Sequence, residues 1–171
     1  LLKGFDRGLA ALDQTPGRGD GLDTFHHKAL NILRSARTRK ALEVDQEPEP
    51  LRERYGMTGF GQGCLLARRL VERGVRFVQV CHTSWDQHDN LNPELEFNCR
   101  MVDQPIAALL KDLKARGLLD STLVVCASEF GRTPLGENRK EFKQVTGRDH
   151  HPFAFSIWLA GGGVRGGVVH G

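Results

Sequence analysis

The sequence predicts a layered α/β domain with a largely parallel sheet. Three observations carry that expectation. From residue 63 onward, segments of helical and extended periodicity alternate as helix, strand, helix, strand, loop, strand. The second strand, Thr122–Ala127, is almost continuously apolar, as expected of a strand covered on both faces. The loops rich in Asp, Glu and His adjoin the strand ends, and open α/β sheets bind ligands beyond the carboxyl ends of their strands.

The elements follow in chain order. Residues 1–23 are rich in Gly and Asp and read as irregular, with a short helix at Phe5–Leu12. Thr24 caps a helix from Phe25 to about Leu42, with Leu30, Leu33 and Ala41 on one face. Glu47-Pro48-Glu49-Pro50 breaks it, because proline cannot continue a helix. Residues 45–60 read as a surface connection ending in a turn at Gly56, Gly59, Gly61 and Gly63. Gly63–Arg73 is a helix with Leu65, Leu66 and Leu70 apolar and Gly74 as its stop. Val75–Val80 is β-branched and aromatic, hence a strand. Cys81–Asn92 is a polar loop. Pro93–Arg116 is helical, with Pro105 either kinking it or starting a new first turn capped by Asp103, and Gly117 ends it. Thr122–Ala127 is the second strand, 128–150 a long loop, and Ala154–Ala160 the third strand.

Composition sets the outer bounds. A length of 171 residues suits one domain or a large piece of one. With 39% apolar and 26% charged residues, the chain is neither disordered, collagen-like nor a coiled coil. Against 24 basic residues stand 21 acidic ones, too balanced for a nucleic-acid partner. Arg34, Arg37, Arg39 and Lys40 cluster, but Glu43, Asp45, Glu47 and Glu49 follow at once, as at a solvated helix end. No apolar run approaches the roughly 18 residues of a transmembrane segment. Cys64, Cys81, Cys99 and Cys126 have long, irregular gaps, which argues against a zinc knuckle or a dense disulfide framework. The chain starts at Leu1 without a signal-peptide pattern and reads as a processed chain or a fragment.

The chemistry sits in the polar loops. After Val80 come His82, Asp86 and His88. After Ala127 come Glu129 and Arg132. Before the third strand come Arg148, Asp149, His150 and His151. If the strands are neighbours, these loops converge, and imidazole with carboxylate is the ligand set for zinc, manganese or iron. Plainer readings stand beside this one. His82 could cap a strand, Asp86-Gln87-His88 could be a solvated loop, Glu129 could pair with Arg132, and His150-His151 could be surface residues. Gly161-Gly162-Gly163-Val164-Arg165-Gly166 fits a dinucleotide-binding pattern. The residues after it do not read as a helix, and a glycine turn is expected instead.

Several strings are long and specific: Leu66–Val78, Trp85–Asn90, Ser128–Pro134, Gly147–Pro152 and Leu159–Val164. Together they resemble the bacterial domain-of-unknown-function 1501 family, strongly over 51–171 and more weakly over 1–50. The chain is thus expected to be one partial domain, the C-terminal portion of a longer protein.

The resemblance implies membership of the alkaline phosphatase/sulfatase-like superfamily. It implies a layered sandwich with a mostly parallel central sheet flanked by helices. It also implies a metal-dependent hydrolase of sulfate or phosphate esters. A divalent metal, zinc first and manganese, iron or calcium as alternatives, would be held by Asp86, His88 and either His150 or His151. The superfamily spacing is D-x-x-x-H, whereas this chain has D-x-H, which makes His82 a possible substitute. Glu129-Phe130 stands where a second Asp-His pair is expected. Glu129 can ligate or act as base, while Phe130 cannot ligate. Arg132 or Arg148 would neutralise an anionic transition state. The substrate would be a small-molecule or polysaccharide ester of sulfate or phosphate, and the setting exported, often behind a twin-arginine signal. The nucleophile and an upstream Asp ligand are not found in this sequence. The alternative is a non-catalytic exported structural or carbohydrate-binding protein that keeps the fold, which Phe130 favours.

Overall fold

The computed structural model describes residues 34–136 and 146–171, together with His26, His27, Leu30 and Asn31. The expected helix at Phe5–Leu12, the Thr24 cap and Leu33 lie outside the described residues. The chain divides into two compact units, Leu1–Lys40 and Ala41–Gly171.

In the first unit, His26, His27, Leu30, Asn31 and Arg34 are helical, and Ser35 interrupts the helix. Helix α1 (Ala36–Leu42) resumes directly. Ser35 N–H donates to Asn31 O at 3.0 Å and Arg39 N–H to Ser35 O at 2.9 Å, so the helical bonding pattern passes through the interruption.

The second unit is built on three helices. Helix α2 (Glu49–Tyr55) occupies the segment expected to be a surface connection. The correction has a simple cause. Pro50 falls in the first turn, where the missing N–H would have no intrahelical partner anyway. The same prolines that end one helix therefore start another, and its Leu51 and Tyr55 enter the core.

Helix α3 (Gly59–Glu72) starts four residues before the expected Gly63, because the Thr58 side chain caps it by accepting from Gly61 N–H at 3.1 Å. The expected glycine turn is thus its first turn. A Cβ on Gly61 would lie 2.3 Å from Tyr55 O and 2.4 Å from Gly56 O, so only glycine lets α2 and α3 approach this closely.

Helix α4 (Leu91–Ala115) runs unbroken through Pro105, so Asp103 caps nothing. Both long helices end in the same double hydrogen bond past a glycine. Gly74 N–H donates to Val71 O and Val75 N–H to Leu70 O; Gly117 N–H donates to Lys114 O and Leu118 N–H to Leu113 O.

The core cluster is Leu51, Tyr55, Cys64, Leu65 and Ala108, with Val44, Phe60, Val80 and Leu109 packed against it. A fully buried leucine such as Leu65 contributes about 1.5–3 kcal/mol. Beside this core lies an ion network that crosses all three helices. Arg68, only 1% exposed, reaches Glu47 at 2.9 Å, Glu72 at 2.8 Å and Asp112 at 3.0 Å. Tyr55 donates its hydroxyl to Asp112 at 2.9 Å. Arg116 bridges Glu72 and Asp112, each at 2.8 Å. Arg69 donates to Ala41 O at 2.8 Å and also touches Glu47. Burial pushes the Glu47 carboxyl up, but Arg69 and Arg68 outweigh it and hold it below its ordinary value.

Strands are short. β1 (Leu123–Cys126) pairs antiparallel with β4 (Trp158–Gly161), Leu123 opposite Gly161 and Cys126 opposite Trp158. β2 (Gly131–Arg132) pairs antiparallel with β3 (His150–His151). Every pairing among the described residues is antiparallel. The mostly parallel sheet therefore stays an expectation of the family resemblance. Three strand-level expectations change. Val75–Val80 forms no ladder, since no described strand takes its backbone groups, although Val78 and Val80 face inward and Phe77 and Gln79 outward. Leu123 and Val125 of β1 are about half exposed, so that strand is covered on one face rather than two. The last strand starts at Trp158 instead of Ala154. As expected, no helix follows the glycine run at 161–163.

Candidate metal centre

Asp86 and His88 lie in the loop between α3 and α4. Two buried amides hold that loop. Gln87 and Asn98, 5% and 3% exposed, both donate to Ser84 O. Ser84 itself takes a positive φ of 71°, and hydrogen bonds of this kind stabilise such a position. His88 N–H donates to Asp86 O at 3.0 Å, a three-residue turn about Gln87. That turn answers the spacing question. It folds Asp86-Gln87-His88 back on itself, so both outer side chains reach one point.

Residues 146–151 bring the third group. Asn90 N–H donates to Thr146 Oγ1 at 3.0 Å, Leu91 N–H to Thr146 O at 3.2 Å and Arg148 N–H to Gln87 O at 3.1 Å. A Cβ on Gly147 would lie 2.0 Å from His88 C, so glycine is required where the two segments touch. The β2–β3 register then sets His150 directly opposite Arg132. Opposite residues of an antiparallel pair share a face, and successive side chains alternate. His150 therefore points with Arg132 toward Asp86, and His151 points away.

One potential ligand atom each from Asp86, His88 and His150 converges within 4.8 Å. His150 Nε2 lies 2.7 Å from Asp86 Oδ1, His88 Nε2 lies 3.2 Å from the same oxygen, and the two Nε2 atoms are 3.1 Å apart. A neutral imidazole has one N–H, so the two rings and the carboxylate cannot all satisfy one another, whereas one shared cation satisfies all three. Ligands about 2.0–2.1 Å from tetrahedral zinc stand about 3.3 Å apart. Two of the three separations are already close to that value, and the third needs to open by about half an ångström. The residues present thus fit a divalent metal, which Asp86, His88 and His150 would hold.

Arg132 braces the carboxylate. Its guanidinium touches Asp86 Oδ1 and donates to Trp85 O and Arg148 O, each at 2.9 Å. The His150 hydrogen bond first, and Arg132 second, hold the Asp86 carboxyl down to about 2. Phe130 lies against His150 with ring centroids 4.4 Å apart.

The remaining expected residues sit elsewhere. Glu129 is exposed and outside the cluster, and the pairing expected with Arg132 is replaced by Asp86. Arg148 contributes through its backbone, and its side chain is exposed. His151 stands on the opposite face of β3, and its Nδ1 is buried without a hydrogen-bond partner among the described residues. His82 packs edge-on between Phe60 and Trp85, at 5.2 and 5.6 Å between centroids, and caps no strand. Gln87, Asn98 and Gly147 were not singled out from the sequence as site residues. Gln87 lies inside the Trp85–Asn90 string and Gly147 heads the Gly147–Pro152 string, whereas Asn98 lies in neither.

Fold and site together define a protein of helices and short antiparallel strands with a carboxylate–bis-imidazole cluster that could hold a metal. The chain belongs to the family described as "Protein of unknown function (DUF1501)", whose model matches residues 18–171. No curated protein and no solved structure matches it. Among the described residues, no helix is long and apolar enough to cross a membrane.

Proposed function

We propose that the protein is a metal-dependent hydrolase of sulfate or phosphate esters. The observation that carries this reading is the convergence of Asp86, His88 and His150, whose ligand atoms come from segments more than 60 residues apart. Asp86, His88 and His150 would hold one divalent cation, zinc first among the candidates. When bound, such a cation supplies Lewis acidity at the ester oxygen. Asp86 stays ionised across neutral pH, as a ligand must, and Arg132 fixes its direction. Arg132 commits three of its five N–H donors to Asp86 and two carbonyls, so Arg148 is the better candidate for neutralising the anionic group. Glu129, one residue before the ring that packs on His150, is the candidate base. The ester class, the alkaline-phosphatase-like layered sheet and the exported setting come with this reading from the family resemblance.

A second reading is favoured by one contact. Phe130 stacks on His150 where a second ligand histidine was expected, which suits a protein that keeps the centre without catalysis.

The test is metal content by plasma mass spectrometry after dialysis, on the wild-type chain and on Asp86→Ala/His88→Ala. Near-stoichiometric zinc, manganese or iron that vanishes in the variant supports the site. Metal that persists in the variant, or none in folded wild-type protein, sinks it. Hydrolysis of p-nitrophenyl sulfate and phosphate then separates the two readings.

A further inference from the structure

A cavity of about 490 Å³, widely open to solvent, lies between the loop at 82–84 and the amino-terminal half of α4. Its volume lies within the range of small-molecule sites. We infer that it holds the organic part of the ester, and that this part is a neutral, hydroxyl-bearing ring of sugar type. The inference deepens the proposed function and rests on it.

Proximity comes first. Ser84 lines the cavity and is two residues from Asp86, so their Cα atoms are at most about 7 Å apart. The Asn98 amide, also in the lining, donates to Ser84 O, which ties the cavity wall to the loop that carries Asp86. The cavity and the Asp86 cluster thus share one loop, with Ser84 in the cavity wall and Asp86 two residues further on.

The chemistry of the lining comes second. Helix α4 presents Glu94, Phe97, Asn98 and Met101 to the cavity, spaced as one helical face. Phe97 is 63% exposed, an aromatic surface open to solvent. Thr83, Ser84 and Glu94 add hydroxyl and carboxylate partners. A sugar ring has the matching character, with a C–H face for the aromatic ring and hydroxyls for the polar groups. A plain hydrocarbon would leave the polar groups unpaired.

Charge comes third. Among the described residues no Lys or Arg lines the cavity, and Glu94 contributes a carboxylate that accepts from the neutral Asn90 amide at 3.4 Å. A densely sulfated or phosphorylated chain would be repelled here. The anionic group of the substrate therefore belongs at the metal and Arg148, and the cavity takes the uncharged remainder.

The experiment is saturation-transfer NMR on the folded chain with methyl α-D-glucopyranoside, with sucrose octasulfate as the polyanionic probe. Transfer to the methyl glucoside is expected from wild-type protein, both zinc-loaded and chelator-treated, since the cavity does not use the metal. Phe97→Ala, an exposed substitution checked by circular dichroism, should weaken binding about tenfold. Absence of transfer from wild-type protein overturns the inference. So does equal transfer from Phe97→Ala, or displacement of the methyl glucoside by the octasulfate. Metal content measured on the same samples reports separately on the metal centre, so the two readings fail independently.

Discussion

Arg132 reaches from β2 to Asp86 while the same guanidinium holds the carbonyls of Trp85 and Arg148. One planar fork thus locks the Asp86 side chain to the backbone of both segments that form the cluster. A lysine cannot do this, because a single ammonium has neither the reach nor the fixed geometry. Arg132→Ala and Arg132→Lys should both lower metal affinity by about 10- to 100-fold, the usual cost of losing a group that orients a ligand. Competition with a zinc chromophore measures it. Full recovery in the lysine variant would show that charge alone matters.

The Asp86 carboxyl should titrate near 2, as ¹³C NMR of its side chain would show. Its value is depressed on folding, so the stabilisation it contributes is present above its ordinary value of 3.8 and lost as pH falls through about 2. His150→Ala should raise the midpoint more than Arg132→Ala does, because the imidazole bond is the larger cause. The reverse order would reassign the main partner.

Arg68 is the most buried charged member of the ion network and the one that touches three carboxylates. Arg68→Met leaves Glu47 to Arg69, and Glu72 and Asp112 to Arg116, and should cost about 3 kcal/mol in urea unfolding. Tyr55→Phe removes one hydrogen bond to an already paired carboxylate and should cost about 1–2 kcal/mol. Comparable losses in the two variants would mean that the network is not centred on Arg68.

Two glycine-to-alanine substitutions should separate scaffold from site. Gly61→Ala drives a Cβ into two backbone carbonyls and should cost about 1–3 kcal/mol of stability. Gly147→Ala drives one into the backbone at His88 and Asp89, and should lower metal affinity by at least the about 10-fold of a lost orienting contact. Thermal unfolding and metal titration of both variants give the comparison.

Burial pushes the Cys64 thiol up to about 11. Cys64 should resist alkylation by iodoacetamide at neutral pH until the protein unfolds, because the thiolate is the reactive form. Cys81 and Cys99 are exposed and should react first. Mass mapping of the labelled peptides reads the order.

Much of this protein is local and was legible in the sequence. Periodicity located α3 and α4, and the glycines at 74 and 117 marked their ends, since a helix stop needs only the residues around it. Proline context misled at 45–60, because the same residue both ends a helix and opens one. The family strings and the polar loops pointed to Asp86, His88 and His150 as ligand types. The choice between His150 and His151 was left to the pairing of β3 with β2, since alternation assigns a face only once a partner strand and register are known. Tertiary contact alone gave Arg132 to Asp86 rather than Glu129, buried Arg68 among three carboxylates, and left Val75–Val80 without a ladder. Each of those outcomes depends on which distant group lies within about 3 Å, and sequence spacing carries no information at that range.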